Sequence, residues 1–175
     1  MTRARLVALS LVVALSGAAC KSAPSGEELS ATDCPVLLAP GKLPATLEEV
    51  AAAKAKGASW SNREIRARYV CFAANIGAEN AKWKAEGLSA EARAKRAYQV
   101  RHDARVTARA MMANAADVAT LEERDRAKYG SPDGPTFEWL VQRAEAKGLH
   151  GDAVFEEIVA SSQRTDQSTN TSLGL

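Results

Sequence analysis

The chain has 175 residues, 23 Lys+Arg against 21 Asp+Glu, and 46% apolar residues. That length fits one ordinary domain with extensions and argues against a multidomain enzyme. Thirty-six residues are alanine and aromatics make up only 5%. Large side chains for a deep core are therefore scarce, and the Ala, Leu, Arg, Lys and Glu bias favours helix over sheet. The expected fold class is all-α, a compact bundle of about five or six helices.

The chain opens with Arg3 and Arg5 ahead of a 14-residue apolar run, Leu6 to Ala19, and then Cys20 and a polar stretch. Roughly 20 apolar residues are needed to cross a bilayer, so this run predicts a secretory signal, residues 1–19, rather than a spanning helix. Gly17-Ala18-Ala19 directly before Cys20 resembles the lipobox of bacterial lipoproteins, although Gly17 stands where that family usually has leucine. The resemblance implies a thioether-linked lipid on Cys20 and anchoring in the bacterial cell envelope without spanning. Lys21, in place of an aspartate, points by the family rule to the outer membrane. An ordinary cleaved signal with a free Cys20 is the alternative. Loss of Arg3 and Arg5 with the signal leaves 21 basic against 21 acidic residues, a neutral balance that argues against nucleic acid as a partner.

With Cys20 lipidated, Cys34 and Cys71 remain, and an oxidising compartment favours pairing them. Two separate thiols are the alternative. Residues 20–33 read as the lipidated cysteine and a flexible tether, 34–164 as the helical domain, and 165–175 as a mobile tail. The prolines at 35, 40 and 44 around Val36-Leu37-Leu38 predict an irregular strap packed on the domain.

Helices are expected near 46–56, 61–86, 89–113, 120–129, 136–147 and 152–163. Capping-box patterns start three of them, at Thr46, Ser61 and Thr120, each followed three residues later by glutamate. Gly57, Gly87, Gly130 and Gly148 mark helix ends. Ile65, Tyr69, Phe72, Ile76 and Trp83 share a face of the second helix. Ala90, Ala94, Ala97, Ala104, Ala108 and Met111 form a seam on the third, broken by Arg101, and this seam is expected to dock on the second helix. Gly87-Leu88 and Gly148-Leu149 are expected to form equivalent corners.

No catalytic constellation emerges. His102 and His150 are the two histidines, too few for a multi-histidine metal site, and GxSxG, phosphate-loop and EF-hand patterns are absent. No cofactor, metal or enzymatic activity is expected. The candidate partner-binding face is Lys95, Tyr98, His102, Arg105 and Arg109, a cationic stripe spaced every three or four residues, for an envelope protein or anionic surface. The competing reading is a solvated face whose arginines pair with neighbouring glutamates. Together these signals suggest a non-enzymatic interaction or structural lipoprotein; the alternative is an effector or immunity lipoprotein of interbacterial competition.

Overall fold

The structure is a computed structural model that describes residues 34–37, 39, 41–74 and 76–163, with residues 35, 37 and 72–74 described by their backbone alone. The signal, Cys20, the tether and the tail lie outside the described residues. Within them every regular element is helical: α1 Cys34–Leu37, α2 Leu47–Ala55, α3 Asn62–Ala74, α4 Ile76–Ala85, α5 Ala90–Met111, α6 Ala115–Tyr129, α7 Phe137–Glu145 and α8 Asp152–Gln163.

The capping signals explain most of these starts. Thr46 accepts from the Glu49 amide at 3.1 Å, and Ser61 and Glu64 satisfy each other's backbone amides. Ser89 and Thr136 do the same for α5 and α7. The Thr120 signal misplaced its helix. Asn114 caps α6 through the Ala116 amide, while the Thr120 hydroxyl donates to the Ala116 carbonyl at 2.9 Å inside the helix. A hydroxyl can be satisfied by the preceding turn as well as by an orphan amide, so the motif alone does not fix the start. The expected 61–86 helix is covered by α3 and α4, which flank residue 75, a position outside the described residues. Gly87 and Gly148 both adopt φ 79°. Leu88 and Leu149 then donate backward to Trp83 and Ala144, and both side chains pack on one core cluster, so the two corners are equivalent.

α5 is the axis, packed against α3 along one side and α8 along another, with α2 and α4 completing the layer and α7 lying on α8. Its alanine seam docks on the second predicted helix as expected, and it also beds α8. Ala104, Ala108 and Met111 meet Val50, Ile65, Tyr69 and Leu121 in one buried cluster. Ala94 and Ala97 meet Ile76, Trp83, Ile158 and Val159 in a second. Each alanine lets the facing backbone close in, so large residues from the neighbours fill the gap.

The 34–44 strap is less irregular than its prolines suggest, since Cys34–Leu37 forms one helical turn. The Cys34 and Cys71 sulfurs are 2.04 Å apart, closing a sequence separation of 37. Farther along, Arg68 donates to the carbonyls of Pro44 at 2.9 Å and Ala45 at 2.6 Å. Burial, partly offset by Asp103 and Glu49, pushes the Arg68 guanidinium down to about 10. Leu43 packs on the core, whereas Val36 is 68% exposed, so apolar character alone did not bury the strap.

Candidate functional site

Four arginines, Arg68, Arg93, Arg105 and Arg109, are each no more than 5% exposed. In an alanine-rich core their long stems supply volume that leucines would otherwise provide. Their charged heads need partners, because an unpaired buried charge is costly. Arg93 bonds Asn80 and Glu156, and Arg109 forms an ion pair with the equally buried Asp125 while donating to the Pro132 carbonyl at 2.7 Å. Arg105 differs from Arg93 and Arg109. Its guanidinium donates to the Tyr69 hydroxyl at 3.2 Å and the Asp133 carbonyl at 3.3 Å, its Nε has no hydrogen-bond partner, and among the described residues no carboxylate pairs with it.

The loop between α6 and α7 builds this arrangement. It places Pro132 and Asp133 carbonyls against Arg109 and Arg105 of α5, and Gly134 comes close to the Arg105 guanidinium. Gly134 has φ +95°, and a Cβ there would come within 2.6 Å of Nη1 and 2.9 Å of Cζ. Glycine is required twice, by the left-handed backbone and by the close approach.

Arg101 joins Arg105 from one turn earlier on α5. It donates through Nε to the same Tyr69 hydroxyl at 3.0 Å and through Nη1 to the Ser161 carbonyl on α8. Both guanidiniums also sit over the Tyr69 ring, at 5.8 and 5.7 Å from its centre. Burial raises the Tyr69 ionisation, but the charges and hydrogen bonds of Arg105 and Arg101 together outweigh it, so the phenol is held below its ordinary value.

Arg101 and Arg105 line a cavity of about 460 Å³ between α5, α6, α7 and α8. Arg124, Lys128, Arg143 and Lys147 complete six cationic side chains on its wall. Glu157 is the carboxylate on that wall among the described residues, and Lys147 holds it at 2.6 Å. Arg124 is paired with Asp125 at 3.0 Å. Lys128 and Arg143 sit over the rings of Tyr129 and Trp139, which pack edge to face. Tyr98, also on the wall, has its ionisation raised by burial, with Arg105 acting against that.

The predicted stripe on α5 therefore does not form one outward face. Arg105 and Arg109 turn inward, 5% and 4% exposed, because their spacing from Tyr98 carries them under the α6–α7 loop. Lys95 remains outside, paired with Glu91 at 2.7 Å. Tyr98, His102 and Arg105 are brought together on the cavity; Lys95 and Arg109 are not. Arg101 joins the first three there from outside the predicted stripe, although as a cation interrupting the alanine seam it carried a sequence signal; the Ser131-Pro132-Asp133-Gly134-Pro135 loop carried none that pointed to the site.

Among the described residues no group of three or more His, Cys, Asp or Glu is placed to hold a metal ion, and no helix is long and apolar enough to cross a membrane. No family model, curated protein or solved structure matches this chain.

Proposed function

We propose that the chain is a lipid-anchored envelope module that binds an anionic ligand in the α5–α8 cavity without transforming it. The observation that carries this reading is Arg105, a buried guanidinium on a cavity wall whose partners among the described residues are a phenol and a carbonyl rather than a carboxylate. An anion seated beside it supplies the missing counter-charge and strong charge-assisted hydrogen bonds. The cavity volume falls in the range of small-molecule sites. The lipobox-like stretch ending at Cys20 supports the anchor.

Two measurements test the two halves of the reading. Intact mass of the native protein should show fatty modification, and Cys20→Ala should lose it; an unmodified native mass removes the anchor. Thermal unfolding in increasing concentrations of small anions, pyrophosphate, glycerol phosphate and succinate, at constant ionic strength, should move upward for the wild type with at least one of them. An unmoved transition removes the binding reading.

A further inference from the structure

We propose that the cavity is a phosphate-ester site, its phosphoryl group seated against Arg101 and Arg105 and met from the mouth by Lys128 and Arg143. The inference rests on the anion-binding reading above and specifies the ligand class.

The first reason is direction. Arg101 and Arg105 reach the wall from α5, Lys128 from α6 and Arg143 from α7, so donors approach from three helices. A carboxylate offers two oxygens in one plane. A phosphoryl group offers three terminal oxygens arranged tetrahedrally, and guanidinium forks suit its edges. The shared Tyr69 hydroxyl keeps the two α5 forks side by side, at 3.0 and 3.2 Å from the same oxygen. Tyr69 thus acts as a positioning residue behind the site.

The second reason is charge. Arg101, Arg105, Lys128 and Arg143 line the cavity without an ion pair to any described carboxylate, whereas Arg124 and Lys147 each have one. One carboxylate would leave most of that charge unmatched. A phosphate monoester carries about −1.5 to −2 at neutral pH and matches more of it. The third reason is shape: Tyr98, Tyr129 and Leu140 on the same wall give the organic portion of an ester a surface to pack against.

The test is calorimetric titration of the purified full chain with glycerol phosphate, with pyrophosphate, with succinate at matched ionic strength, and with phosphatidylcholine vesicles doped with phosphatidate. Saturable binding of at least one phosphate ester, tighter than succinate, is expected. Lys128→Gln with Arg143→Gln should weaken it by about tenfold while the unliganded protein stays folded with a slightly lowered melting temperature, since both side chains are exposed and contribute only their contacts with the Tyr129 and Trp139 rings. Arg105→Gln should abolish it. Binding of glycerol phosphate assigns the phosphoryl group to a soluble ester, binding confined to phosphatidate vesicles assigns it to a lipid headgroup, and binding of pyrophosphate alone overturns the ester. Succinate binding as tightly as the phosphoryl compounds overturns the ligand class and leaves the anion-binding reading intact. No saturable binding of any anion overturns both, and undiminished binding in the Lys128→Gln, Arg143→Gln protein overturns the placement.

Discussion

Arg105 and Arg109 stand one turn apart on α5, are buried to 5% and 4% exposure, and both donate to carbonyls of the α6–α7 loop. Arg109 also meets Asp125, itself 2% exposed, whereas Arg105 meets a phenol. Equal burial with unequal neutralisation separates two uses of arginine. At Arg109 the charge is closed inside the protein and fastens α5 to α6. At Arg105 it is left open toward a cavity, the arrangement expected of a binding group.

The largest predicted effect opens the disulfide. Reduction of the Cys34–Cys71 bond, or Cys71→Ser with Cys34→Ser, should cost up to ~4 kcal/mol for a closed loop of this length. Neither cysteine lines the cavity, so anion binding should survive at temperatures where the reduced protein remains folded. The next breaks the closed pair. Arg109→Met leaves the buried Asp125 carboxylate with the half-exposed Arg124, at 3.0 Å, as its remaining cation among the described residues and should destabilise the fold by about 3 kcal/mol in denaturant unfolding.

Arg105→Met should cost about 2 kcal/mol less than Arg109→Met, because it breaks no buried ion pair and removes a charge that is expensive to bury. If the two substitutions cost the same, the distinction between them fails. Gly134→Ala should cost about 1–3 kcal/mol from the left-handed backbone and should also weaken anion binding by displacing the Arg105 head. A stable Gly134→Ala protein with intact binding would show that the cradle is not needed. The smallest effect is expected from Thr136→Ala, about 1 kcal/mol from loss of the α7 cap, with the binding groups unchanged.

The helical class was legible because alanine-rich composition, capping residues and helix-ending glycines all act locally. The α5 seam was legible for the same reason: small residues at regular spacing identify a face that a neighbour can approach. The site was only partly legible. Helical spacing put Tyr98, His102 and Arg105 in one sector, and the structure brings these three to one cavity. Spacing carries no information on which neighbour covers that sector, so arginines read as an outward stripe became core residues under a loop. Arg143, Lys147 and Glu157 come from helices far along the chain, and their meeting with α5 depends on how α7 and α8 fold back. The Thr120 start failed for a different reason, since a mid-helix hydroxyl and an N-cap hydroxyl carry the same three-residue signature.

The ionisation of Tyr69 senses the cavity charge directly, because its hydroxyl touches both guanidiniums. Folding holds this phenol below its ordinary value, so its contribution to stability is fully present above the unfolded value and is lost as pH falls through the lowered one. An anion seated against Arg101 and Arg105 would offset the field that favours phenolate. Spectrophotometric titration of tyrosinate, with Tyr69→Phe to assign the signal, should therefore show the Tyr69 ionisation moving upward when a phosphate ester is added at constant ionic strength. An ionisation that stays in place at every ester concentration would contradict an anion beside those guanidiniums.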